Sequence, residues 1–168
     1  LGEIRQTLDF KGEVKVRKRV WHPKLGKYGL WKTICIIKNG FPDDGIDWIA
    51  AQLYTNTSAG TRGAGFIALS NNGTAPDNAD TTLAGELVTA DMARTDASVK
   101  THTDNTNVTT LKNTFTATAT RNGIVKTGLF TASSGGILVN EALIASTDLN
   151  TNDQIEITWT ITGPTAIP

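Results

Sequence analysis

The chain of 168 residues contains one cysteine, two histidines and one methionine. A single cysteine excludes an internal disulfide framework. Cys35 sits in Thr33-Ile34-Cys35-Ile36-Ile37, which reads as a buried strand, so its thiol is expected to act as a small apolar core group. Neither His22 nor His102 has a second ligand at zinc spacing, and no Gly-x-Ser-x-Gly element marks a hydrolase nucleophile. Asp148-Leu149-Asn150-Thr151-Asn152-Asp153 echoes the start of a calcium loop. Asp153 stands where such a loop needs glycine, and its twelfth position carries no glutamate, so a polar turn is expected instead. No apolar run approaches the roughly 20 residues that span a bilayer. Leu1-Gly2-Glu3-Ile4-Arg5 lacks the basic-then-apolar layout of a signal peptide, so secretion is not expected. No fixed-period repeat is present. These absences lead to the expectation of a non-enzyme with no metal and no cofactor.

Threonine is what the chain has in excess: 27 residues, concentrated after Thr55. Threonine is β-branched, so it loses rotamer freedom in a helix and packs well on a pleated surface. Hydrophobic residues make up 39% and charged residues 19%, a globular composition long enough for its own core.

Net charge is zero but unevenly placed. Residues 1–38 hold ten Lys+Arg against three Asp+Glu, a net of +7, and residues 39–168 carry the balancing −7. A basic front and an acidic rear suit contact between copies, or an arm laid on an acidic surface. Lys15, Arg17 and Arg19 alternate along a strand pattern, which favours a solvated sheet face or a protein contact over nucleic-acid binding.

Alternation over residues 7–20 predicts a first strand, with Phe10, Val14, Val16 and Val20 on one face and a slip or bulge at Gly12. Loop chemistry at residues 22–29 and a strand over 30–38 complete a long-tipped hairpin. Asp43 or Asp44 caps a short helix over residues 45–54, packed on the sheet by Trp48. Phe66-Ile67-Ala68-Leu69-Ser70 is a buried strand, and Leu83, Glu86 and Leu87 suggest a helical turn within 83–92. Strands are predicted at about 95–102, 109–121, 123–131 and 136–146, with Asn122-Gly123 as a hairpin turn and Ser133-Ser134-Gly135-Gly136 as the next. Ile155, Ile157, Trp159 and Ile161 alternate in a final strand. Glu86 is assigned to Arg94 as a structural partner, not to Asp80 as a catalytic pair. The fold class is all-β: an antiparallel β-sandwich, jelly-roll or Ig-like, with one short helix. Residues 1–38 form a basic N-terminal arm and hairpin, part of or attached to a sandwich over 39–168.

These pieces, in order, resemble the small β-sandwich virion proteins of tailed double-stranded DNA viruses. The resemblance rests on Lys38-Asn39-Gly40, the helix start Gly45-Ile46-Asp47-Trp48-Ile49-Ala50, and Gly65-Phe66-Ile67-Ala68-Leu69-Ser70. It continues through Asp80-Thr81-Thr82-Leu83-Ala84-Gly85-Glu86 with Arg94, the Phe-Thr-Ala strand at 115–117, Gly128-Leu129-Phe130, Gly135-Gly136 and the Ile-Thr-Trp strand at 157–159. It covers roughly residues 10–162. The long 22–29 loop and the basic arm depart from that pattern. The resemblance implies a capsid decoration (cement) subunit on the virion surface, made in the host cytoplasm and acting as a homo-oligomer, a trimer at local threefold sites. Its partners would be the major capsid protein or neighbouring virion proteins, with no membrane and no nucleic acid. Lys15, Arg17, Lys18, Arg19, Trp21 and Trp31 are the expected contact residues. The alternatives are a tail or fibre protein, receptor-binding through the loops at 55–64 and 71–80, and a carbohydrate-binding module.

Overall fold

The structure, a computed structural model, describes residues 11–39, 63–102 and 108–162. Among these residues it is nearly all β with antiparallel sheets, and the single helical piece is a 3-10 turn at Pro23–Leu25. The helix expected over 45–54, with Trp48, lies outside the described residues, as does Phe10.

Eleven strands follow in order: β1 Lys11–Arg19, β2 Trp21–His22, β3 Lys27–Tyr28, β4 Lys32–Asn39, β5 Phe66–Ser70, β6 Thr95–Asp96, β7 Val99–His102, β8 Val108–Thr116, β9 Arg121–Phe130, β10 Leu138–Leu149 and β11 Gln154–Thr162. One sheet has the order β4-β1-β11-β8-β7, a second β10-β9-β5-β6, and β2 and β3 form a small ribbon. Alternation explains the first sheet. Val14 and Val16 of β1, Leu111 and Phe115 of β8, and Ile155, Ile157 and Trp159 of β11 all point to one side and are buried. Ile67, Leu69, Leu129, Ala142 and Ile144 of the second sheet join them in one apolar cluster. Each Val, Leu, Ile or Phe side chain among them contributes about 1.5–3 kcal/mol on burial.

The expected first hairpin forms, with β1 antiparallel to β4, and β1 also pairs along its whole length with β11. Gly12 carries no slip: the β1–β11 register runs through Gly12↔Ile161 unbroken, and the irregularity falls on the β4 side between Val16 and Arg17. Val20, expected on the inner face, is 43% exposed, because the strand ends one residue earlier.

Two turn-level expectations fail. Asn122-Gly123 does not join a hairpin; both residues lie inside β9. β8 and β9 belong to different sheets, so the chain crosses between layers at 117–120. Asn122 and Gly123 instead oppose the single residue Asp148, since Ile124 pairs with Thr147 and Arg121 with Leu149. This is a β-bulge, with Gly123 at φ +65° and its N–H donating to Asp148 Oδ1 at 2.7 Å. The nine-residue pairing of β8 with β11 overrides the local turn preference.

Residues 83–92 hold turns rather than a helical turn. Glu86 makes a bridge to Ser70, and Leu87 N–H donates to Leu69 O at 2.8 Å, so this stretch runs beside the edge of β5. The apolar residues serve different clusters: Leu83 joins Ala68, Phe130 and Leu138, while Met92 enters the main core. A helix would put them on one face.

Candidate binding surface

Because Val14 and Val16 point inward, Lys15, Arg17 and Arg19 face outward from β1. The β1–β11 register sets Arg17 opposite Glu156 and Arg19 opposite Gln154. Arg17 Nε donates to Glu156 Oε1 at 2.8 Å, and a second guanidinium nitrogen meets the same oxygen. Lys112 Nζ lies 3.6 Å from the other oxygen of Glu156, which is only 5% exposed. Arg19 Nε donates to Gln154 Oε1 at 2.7 Å.

Aromatic rings stack onto these cations. The Arg19 guanidinium sits 4.1 Å from the Tyr28 ring centre and 4.7 Å from that of Trp31, and Arg17 sits 5.3 Å from Trp31. Trp21 meets Tyr28 edge to face at 4.9 Å. Tyr28 is placed by the β2–β3 ribbon, which pairs Trp21 with Tyr28 and turns through Gly26 at φ +58°.

Of the expected contact residues, Arg17, Arg19, Trp21 and Trp31 thus meet in one cation–aromatic ladder. Lys15 shares their outward face, opposite Thr158 and Ile36. Lys18 points the other way: its Nζ reaches Asp148 O and lies 3.9 Å from Asp153 Oδ2. Asp153 is buried and accepts from the Trp21 N–H at 3.0 Å and the Asn150 N–H at 3.1 Å. The 148–153 segment therefore ties the hairpin base to the body. Trp21 and Trp31 are half-covered. No known protein family, curated protein or solved structure matches the chain.

Beside the ladder lies a concavity of about 370 Å³, lined by the cations Lys18, Arg19 and Lys32 and by the apolar Val20, Leu30 and Ile34. Leu30 is 95% exposed and Leu25 65%, while Ile36, on the edge strand β4, is 57% exposed. Four of the six large exposed apolar side chains among the described residues lie on this one hairpin. Sequence reasoning missed Leu25 and Tyr28 because the 22–29 stretch reads as loop, and Leu30 and Lys32 because they read as the start of an ordinary strand. The signal that could have found them is that Leu25, Tyr28 and Leu30 are large apolar residues set among Lys24, Lys27 and Lys32 in a glycine- and proline-containing stretch.

Among the described residues, no three His, Cys, Asp or Glu side chains come together as a metal site. No described helix is long and apolar enough to cross a membrane.

Proposed function

We propose that this chain is a virion structural subunit, a capsid decoration protein, that docks on a neighbouring protein through the tip of its first hairpin. The observation that carries the docking role is Leu30, an almost fully exposed leucine in the lining of a cation-bearing hollow. Apolar anchors with charged neighbours are what protein interfaces use: burial supplies affinity, and charge sets partner and register. The partner is an acidic, partly apolar protein surface, on the major capsid protein or a neighbouring virion protein. The virion assignment rests on the ordered sequence resemblance, as does trimeric self-association. In this reading the two sheets form a β-sandwich, of jelly-roll or Ig-like kind, that presents the hairpin from one end.

The ladder itself is the rigid mount. Arg17 and Arg19 are already engaged by Glu156, Gln154 and the rings, so the contact residues proper are Leu25, Leu30 and Lys32, with Trp21 and Lys15 beside them.

The test is occupancy on particles assembled from the coat proteins of the same genome. The double variant Leu30→Asp, Lys32→Glu should fold with an unchanged melting temperature and lose at least tenfold in particle binding. Binding by the native chain should weaken as salt rises. Undiminished occupancy of the variant would refute the hairpin-tip docking, and labelling confined to the tail would move the chain to a tail or fibre role.

A further inference from the structure

The outer face of the four-stranded sheet holds a polar cluster that the hairpin does not use. Lys126 of β9 and Glu141 of β10 are each 1% exposed, and Lys126 Nζ lies 3.4 Å from Glu141 Oε2. Glu141 Oε1 is buried and meets no hydrogen-bond donor. Glu141 stands opposite Gly128, where an added Cβ would come within 3.1–3.3 Å of Phe130, Leu83 and Leu138. The pair therefore borders a tightly closed apolar patch.

The third group is Asp80, from the segment that crosses this face. Its carboxylate is held in place by the Asp77 N–H, which donates to Asp80 Oδ2 at 2.8 Å, and it stands close enough to the Glu141 carboxyl for each to shift the other's proton affinity. Burial, then the Asp80 contact, pushes the Glu141 carboxyl up to about 7, with the Lys126 charge opposing. The Glu141 carboxyl and the Asp77 backbone N–H hold Asp80 below its ordinary value. Glu141 thus takes up a proton far more readily than Asp80, which stays ionised.

We propose that Lys126 and Glu141 condense into an intramolecular isopeptide bond, with Asp80 as the proton-transfer residue. Burying an ammonium and a carboxylate costs several kcal/mol per ion, and forming an amide removes both charges. A proton passes from the Lys126 ammonium to Glu141, leaving a neutral amine and a neutral acid. The Nζ lone pair attacks Glu141 Cδ and the N–C bond forms. Asp80 takes a proton from that nitrogen and returns it to a hydroxyl on the tetrahedral carbon, whose C–O bond breaks to release water. Ammonium plus carboxylate gives amide plus one water, with no change of oxidation state and no co-reactant. The fold supplies the proximity: Nζ lies 3.4 Å from an oxygen bonded to the carbon it attacks, and groups held in place this closely reach very high effective concentrations. Glu141, not Asp80, is the electrophile, because a neutral acid accepts attack and an ionised carboxylate resists it.

Intact mass of the purified full chain, measured under denaturing conditions, decides the matter. The expected mass is one water below that of the linear sequence, and proteolysis should yield one branched peptide joining residues 126 and 141. Asp80→Ala, altering a half-buried loop residue, should fold and keep its linear mass. Lys126→Met should also keep its linear mass. A folded, aged native chain at the linear mass overturns the proposal. A branch ending on Asp80 overturns the assignment of the electrophile, and full condensation in Asp80→Ala overturns the proton-transfer role.

Discussion

Asp91 shows how much one side chain can organise. It accepts from the Thr118 N–H at 2.9 Å and the Thr118 hydroxyl at 3.1 Å. It also accepts from Arg121 Nε at 3.1 Å and a terminal guanidinium nitrogen at 2.8 Å, so it pins both ends of the crossing between sheets. Burial alone would raise its pKa, but the Arg121, Thr118 and Thr89 hydrogen bonds outweigh it and hold the carboxyl well below the usual range. A depressed folded pKa contributes stability above the unfolded value of 3.8, which is lost as pH falls toward the folded one. Asp91→Asn should therefore cost about 2–3 kcal/mol at neutral pH, with the gap closing below about pH 4, as measured by urea unfolding across that range. The Glu86–Arg94 pairing is legible in the sequence, and both guanidinium contacts form, at 2.8 and 2.6 Å. Arg17–Glu156 is not legible there, because it depends on which strand lies beside β1, and no local pattern encodes that.

At the scale of elements, periodicity reads well and turns read poorly. β5 is legible to the residue, and the alternation of Ile155, Ile157 and Trp159 in β11 matches their burial. Within the strand predicted over 109–121, Leu111, Phe115 and Ala117 are buried, whereas Ala119 is exposed because β8 has ended. Asn122-Gly123 misleads because a positive-φ glycine serves a bulge as well as a hairpin turn, and only the partner strand distinguishes them. Nothing lies within 4 Å of the position a Gly123 Cβ would occupy, so substitution there is penalised by conformation alone. Gly123→Ala should lower stability by about 1–2 kcal/mol and Gly123→Asn by less, read from denaturation midpoints. Equal losses would point to a steric cause instead.

At the scale of the whole molecule, the charge split takes on a second meaning. Sequence alone suggests contact between the basic front of one copy and the acidic rear of another. Part of that attraction is closed within one chain, where Arg17 meets Glu156 and Lys18 faces Asp153. The segment that reads as an arm is also structural: β1 lies between β4 and β11 and buries Val14 and Val16 completely. Deleting residues 1–22 should abolish cooperative melting and the strand signal in circular dichroism, whereas the hairpin-tip variant keeps both. A folded deletion product would show that β1 is dispensable.

The pairing of β1 with β11 also sets a timetable for synthesis. Strand Lys11–Arg19 leaves the ribosome well before its partner Gln154–Thr162, which is made last among the described strands. At roughly 5–20 residues per second, β1 waits on the order of ten seconds with that edge unpaired. An apolar strand left open for so long would recruit neighbouring nascent chains. Lys15, Arg17 and Arg19, along one face of β1, keep the waiting edge charged and so discourage pairing with a stranger.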